Sequence, residues 1–243
     1  MKMRHYAKWI ATVGVLLCQA GIVLAGETAE SVERRVLSLL EQQKTMTADI
    51  SVVVEIKSDD YTLKTVGHGT YEEMKADGKV LYRHDLRVEG VESYQGAQEK
   101  IKHTETLICD GDYIYTLTDQ MGVPTATKQK ITPARTGGID LNTFKWLKLR
   151  YDLTLLPDAS VANETTYVIE ARPKKKDATL PERTVYCFSQ ESGNLVNRSI
   201  EETQGQVSES TTLTNIKVNP EIDPRRFQFE PPDGVHVQDH TRR

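Results

Sequence analysis

The sequence predicts an α+β fold: a large antiparallel sheet with helices packed on one face. Three observations predict it. Most of the chain alternates apolar and polar residues with a period of two, from Ala48 to Ile56 onward. An Asp110-Gly111-Asp112 turn sits between two such segments, a strong local hairpin signal. Only two segments carry a helical period, one near the start and one in the middle.

Residues 1–25 precede that fold and have the layout of a secretory signal peptide. Lys2, Arg4 and Lys8 give a basic start without an acidic residue, and an apolar run from Trp9 ends in Val23-Leu24-Ala25. The run is short for a spanning helix, which needs about 20 apolar residues. Lipidation at Cys18 fits poorly, because the bulky Leu17 precedes it and apolar sequence continues beyond it. The expectation is export, with cleavage near Ala25 and residues 26–243 forming one domain in the periplasm.

Glu27 to Lys44 reads as an amphipathic helix. Ala29, Val32, Val36, Leu39 and Leu40 form one stripe, while Glu33, Arg34, Glu41 and Lys44 fill the other face. Strands are expected at Ala48–Ile56, Val66–Met74 and Lys79–Arg87, the last two separated by Ala76-Asp77-Gly78. The polar segment Gly90–Lys102 reads as a loop. Thr104–Cys109 and Tyr113–Thr118 flank the Asp-Gly turn, and Thr125–Ile131 adds a short strand. Thr132–Gly138 reads as a loop, and Leu141–Tyr151 as a short helix that Asp140 could cap. Pro157-Asp158 breaks the chain. Thr165–Arg172, Glu182–Ser189, Leu195–Thr203 and Glu209–Val218 then form a meander, with turns at Ser192-Gly193-Asn194 and Gln204-Gly205. The tail Phe227–Asp239 is extended and stiffened by Pro231-Pro232.

Removing the signal takes three of the 31 basic residues and leaves 28 against 35 acidic ones. Such an acidic chain has no general footprint for nucleic acid. The lysine run ending at Lys176 reads as a solvated loop. Cys109 and Cys187 could pair in an oxidising compartment, or could be two small apolar residues on separate strands.

No catalytic motif emerges, so the chain reads as a non-enzyme. There is no nucleophile elbow and no phosphate-cradling glycine loop. The histidines lack the spacing of a zinc site, and no cofactor is implied. His84 and Asp85 are adjacent, so on a strand they point to opposite faces. Asp110 and Asp112 are explained by turn chemistry.

The C-terminal segment is the most distinctive. Asn215 to Asn219 has the form Asn-x-x-x-Asn. Phe227-Gln228-Phe229-Glu230-Pro231-Pro232-Asp233-Gly234-Val235-His236-Val237 follows. This resembles the ending of the LolA-type outer-membrane lipoprotein carriers, and the order of elements agrees along the whole mature chain. Tyr82-Arg83-His84 stands where that family usually carries Phe-Arg-Trp, and Tyr113-Ile114-Tyr115 follows the Asp-Gly turn in place of a segment ending in Leu-Trp. The resemblance implies a curved sheet forming an incomplete β-barrel, with helices covering its open face. It implies a periplasmic monomer that shelters the acyl chains of lipoproteins, or a related lipid. It also implies an inner-membrane release complex as donor and an outer-membrane acceptor. Candidate lining residues are Val52, Val54, Ile56, Tyr82, Ile114, Tyr115, Phe144, Trp146 and Leu147. By the same resemblance, Arg83 would hydrogen-bond carbonyls of the lid helices when the cavity is empty. The alternative is an envelope sensor on the same scaffold that binds lipid or lipoprotein and then a protein partner.

Overall fold

A computed structural model describes residues 27–131, 141–175, 177, 180–202 and 206–241. The expected signal segment, Thr132–Gly138 loop, Asp140 cap and Gln204-Gly205 turn lie outside the described residues.

Helix α1 (Ala29–Glu41) starts at a reciprocal cap. The Ser31 amide donates to Thr28 Oγ1 at 3.2 Å, and the Thr28 amide donates to Ser31 Oγ at 2.9 Å. Six strands follow: β1 (Thr45–Lys57), β2 (Tyr61–Ala76), β3 (Lys79–Tyr94), β4 (Ala97–Cys109), β5 (Tyr113–Gln120) and β6 (Val123–Lys130). Helix α2 (Leu141–Arg150) runs straight into β7 (Tyr151–Val161), and β8 (Glu164–Pro173), β9 (Arg183–Ser189), β10 (Leu195–Glu202) and β11 (Val207–Val218) complete a second meander. A 3-10 turn (Pro224–Phe227) and a short β12 (Val237–Asp239) end the chain.

All twelve strands form one sheet, in the order β12-β6-β5-β4-β3-β2-β1-β11-β10-β9-β8-β7. The two meanders join where β11 returns beside β1. Every pairing is antiparallel except β12 on β6. The sheet is curved and does not close, with β12 and β7 at its two edges.

The segment expected as a loop, Gly90–Lys102, is instead the distal half of β3 and β4, joined by a tight Gln95-Gly96 turn with φ of 49° and 84°. This end of the ribbon is largely exposed, so burial imposes no apolar alternation there; the backbone ladder and the turn define it. Pro157-Asp158 does not break the chain, and the stretch after the middle helix, where no strand was expected before Thr165, is strand β7. The pair is a bulge inside β7, where the register against β8 shifts between Leu156 and Ala159. The Asp110 turn behaves as expected, its Oδ1 accepting from the Asp112 and Tyr113 amides at 2.9 and 2.7 Å.

The two asparagines of the Asn-x-x-x-Asn motif have physical reasons. Both adopt left-handed backbone, with φ of 53° at Asn215 and 56° at Asn219, which asparagine tolerates better than most residues. Asn215 sits in a bulge of β11, where Asn215 and Ile216 together face Ala48 of β1, and its Nδ2 donates to Asp49 Oδ2 at 2.6 Å. Asn219 follows β11, and its Oδ1 accepts from the Lys44 amide at 2.7 Å, fixing the end of α1 to the start of β1.

The register defines two faces. The inner face carries α1 and α2. Under the helices lie Val32, Val36 and Leu40 of α1, Phe144 and Leu147 of α2, and Tyr151, Tyr167, Ile169, Ala171, Tyr186 and Phe188 of the sheet. A second cluster on the same face of the first meander includes Met46, Ile50, Tyr71, Tyr82, Leu86, Cys109 and Ile114. Glu33 was expected on the solvent side of α1 but is 6% exposed. Its Oε1 accepts from Lys148 Nζ of α2 at 2.8 Å, which ties the helices together and supplies the charge a buried carboxylate requires.

Cys109 and Cys187 are both free and buried, and they sit on opposite faces of the sheet. Cys109 shares the inner face with Tyr82, while Cys187 packs outside with Val168 and Val185. Burial pushes both thiols up to about 11. They are small apolar core residues here, not a disulfide pair.

Candidate site on the inner face of the sheet

Residues paired across the strands show how the inner face is built. One row runs Leu155, Ile169, Tyr186, Arg198, Thr211, Val52, Gly67 and Val88 from β7 through to β3. The next row along includes Leu153, Ala171, Thr184, Ile200, Glu209 and Val54. The helix-packed cluster occupies the β7–β9 end of these rows. Val52, Val54 and Ile56 of β1 lie toward the other end and are only half-buried.

Of the residues singled out in the sequence, Val52, Val54, Ile56, Tyr82 and Ile114 all face inward. Tyr82 and Ile114 are closed off at 3% and 7% exposure, so they serve as core. Phe144 and Leu147 of α2 are buried against β8 and β9, with the Phe144 and Phe188 rings 5.6 Å apart. Trp146 is half-buried beside them, its ring 5.5 Å from Tyr151.

Tyr115 and Arg83 are on the outer face. Tyr115 stacks on Phe229 of the tail, with ring centroids 4.9 Å apart. Arg83 grips Asp85 through two bonds of 2.7 and 2.8 Å. Its Nη1 also donates to the Arg226 carbonyl at 3.4 Å, so the carbonyl it meets belongs to the 3-10 turn and not to α1 or α2. Alternation along β3 explains this: Tyr82 points inward, so Arg83 must point out. Arg226 in turn donates to Glu72 Oε2 at 2.8 Å. Phe227 is buried, Phe229 stacks, and β12 pairs with β6, so the Phe-x-Phe tail straps the outer face from β2 to the sheet edge.

Asp85 is the hub of that strap. Burial pushes its carboxyl up, but bonds from Arg83 and Thr106 and the charges of Arg83 and Arg226 outweigh burial and hold it below the usual carboxylate value. A carboxyl depressed by folding adds stability above its unfolded value, about pH 4, and that stability is lost as pH falls through the folded value. Asp85→Asn is therefore expected to cost about 1 kcal/mol at pH 7 after solvent screening, and less at pH 2. Urea titrations at both pH values check this.

The polar groups of the inner face carry no motif in the sequence. Arg198 Nη2 donates to Glu209 Oε1 at 2.9 Å in the middle of the apolar rows. Nearby on the first meander, Tyr71 donates to Glu73 at 2.9 Å, and His84 Nε2 lies 3.2 Å from Glu105 Oε1. A period-two count over β10 and β11 signals that Arg198, Ile200, Glu209 and Thr211 face inward, but charged residues on a strand are read by default as solvent-facing. Where β2, β3 and β4 run side by side there is also a depression of about 490 Å³ lined by residues such as His68, Gly69 and Leu86. Among the described residues no cluster of His, Cys, Asp or Glu could hold a metal ion, and no helix is long and apolar enough to cross a membrane.

No protein-family model matches the chain, and no curated protein matches it in sequence. Comparison with solved structures returns matches at low identity. An uncharacterised conserved protein from Thermus thermophilus is 9% identical with a TM-score of 0.48, covering 87% of this chain and 98% of that one. A putative outer membrane lipoprotein-sorting protein domain from Vibrio parahaemolyticus is 8% identical with a TM-score of 0.36, covering 81% and 94%. The MucA/MucB complex from Pseudomonas aeruginosa gives 15% identity and a TM-score of 0.40, covering 82% of this chain and 60% of the matched one. The architecture implied by the tail motif, an unclosed curved antiparallel sheet with helices over one face, is the architecture found.

Proposed function

We propose that this chain is an exported binding protein that carries acyl chains on the inner face of its sheet, and that its cargo is a lipoprotein or a related lipid. The observation that carries the reading is the half-buried strip Val52, Val54 and Ile56, on the same cross-strand rows of the inner face as the core beneath α1 and α2. The amino-terminal signal and the LolA-like tail support export and lipoprotein traffic between the two membranes. The energetics suit a carrier. Fully burying about fifteen methylenes gains roughly 12 kcal/mol, enough to keep an acyl chain from ever leaving. A face only partly covered gives up part of that gain, so cargo can be handed on. In this reading α1 and α2 are the lid, and Arg83 holds the tail on the outer face.

The test is native mass spectrometry of mature protein purified from periplasm, followed by lipid extraction. Wild type is expected to carry acyl lipid, and Val54→Asp, on a half-buried strand position, is expected to lose it while remaining folded. A protein that is empty and also takes up no acyl lipid from vesicles would overturn the carrier reading and favour a protein-binding sensor.

A further inference from the structure

Resting on that reading, we infer that the Arg198–Glu209 pair is a headgroup subsite that selects a neutral, ester-linked acyl chain over a free fatty-acid anion. The pair stands where the helix-covered rows meet the half-buried strip. Tyr186 of the helix-packed cluster flanks Arg198 on β9, Thr211 and then Val52 flank it on the other side, and Ile200 and Val54 flank Glu209. An ion pair on a surface this apolar forfeits hydration and stabilises little by itself. It also leaves capacity unused. A guanidinium has five N–H donors, and the described residues give Arg198 one side-chain bond, from Nη2 to Glu209 Oε1. Glu209 accepts that bond and a long one of 3.5 Å from Thr211 Oγ1, both on Oε1, which leaves Oε2 open.

What remains is a donor edge and an acceptor edge side by side, with no net charge. An ester carbonyl can accept from the open Arg198 N–H groups, and a neighbouring hydroxyl can donate to Glu209 Oε2. An acylglycerol head offers both. A fatty-acid carboxylate offers acceptors only and brings its negative charge close to Glu209, where like charges repel. The acyl chain of either ligand would run over Val52 and Val54, so tail burial is common to both and the head decides.

Displacement of a neutral polarity-sensitive dye at pH 7.5 tests this, with monolauroylglycerol and laurate each held below its aggregation concentration. Wild type is expected to bind monolauroylglycerol about tenfold tighter, the equivalent of one net hydrogen bond. Glu209→Gln removes the repelling charge and leaves Arg198 unpaired, so laurate is expected to gain at least tenfold and the preference to vanish or reverse. Arg198→Gln is expected to weaken monolauroylglycerol about tenfold. Circular dichroism confirms that each variant is folded. If both lipids displace the dye equally and Glu209→Gln leaves their ratio unchanged, the subsite is wrong while acyl binding stands. If neither lipid displaces the dye, acyl binding itself fails and the subsite with it.

Discussion

Gly69→Ala is expected to destabilise the protein by at least about 3 kcal/mol, or to prevent folding. An added Cβ would lie 1.7 Å from the Asp85 carbonyl oxygen, 2.8 Å from its carbonyl carbon and 3.1 Å from Leu86 Cα. All three are backbone atoms of the neighbouring strand, so no rotamer change relieves the clash. β2 and β3 would have to separate along one of the longest ladders of the sheet, which pairs Tyr61 with Tyr94 at one end and Ala76 with Lys79 at the other. Gly67 supplies the control. Its Cβ would meet only side-chain atoms, at 3.4 Å from Val88 Cγ2 and 3.5 Å from Leu86 Cδ1, which is ordinary contact. Gly67→Ala also restricts the unfolded chain, so its effect should stay within about 1 kcal/mol. Urea denaturation of both variants decides the matter: equal midpoints would mean that the close approach at Gly69 is not a constraint of the fold.

The same two glycines mark the limit of what was legible in the sequence. His68 between Gly67 and Gly69 reads as a strand with two weak positions. Which glycine is indispensable depends on how closely β3 approaches, and no local pattern carries that distance. Elements that bury one face were legible, because burial writes a period into the chain. The stripe of α1 and the alternation of Met46, Ala48 and Ile50 in β1 are of this kind. The distal half of β3 and β4 was not legible, since with little burial neither face demands apolar residues. Strand β7 was not legible either, because Pro157-Asp158 read as a break in the chain: proline cannot join a ladder, and a strand that bulges there and continues leaves no local mark.

The candidate site divides the same way. The aliphatic strip of β1 and the buried face of α2 could be read from spacing. Arg83 and Tyr115 went to the outer face because each follows an inward neighbour, Tyr82 and Ile114, by one residue. A single-residue step changes the face entirely, so a list built on residue type mixes the two sides. The result clarifies the roles of the motif residues. Phe227, Phe229 and Arg83 belong together as the fastening of the tail, on the face of the sheet away from α1 and α2. Arg198 and Glu209, unremarkable as residue types, fall in the middle of the inner face. The strap also protects an edge. Without β12, the outer side of β6 would present unpaired backbone groups that invite a strand from another chain.

The lid prediction rests on the aromatic contact between α2 and the sheet. Phe188→Ala is expected to cost about 3–5 kcal/mol, the range for emptying a buried phenylalanine site. Its ring is fully buried, 5.6 Å from Phe144 of α2 and 6.1 Å from Tyr186 on the neighbouring inner-face position. Phe144→Ala removes the same contact from the helix side and should cost a similar amount. The two changes share one interaction, so the double variant is expected to lose about 1 kcal/mol less than the sum. That shortfall measures how strongly α2 is fastened. Leu147 and the half-buried Trp146 also pack beneath the helix, and its last turn is tied by Lys148 to Glu33, by Arg150 to Asp177 and by Lys174 to the Lys148 carbonyl, where the two ion-paired cations of α2 are 44% and 40% exposed and so contribute little. Weakening the ring pair should therefore expose the inner face before the sheet itself unfolds. A polarity-sensitive dye should bind Phe144→Ala more strongly than wild type at denaturant concentrations where the far-ultraviolet dichroism of the sheet is unchanged. If dye binding and loss of sheet signal coincide in every variant, α2 and the sheet are one cooperative unit. The cover would then open only when the protein unfolds, which is incompatible with a lid that must yield to cargo.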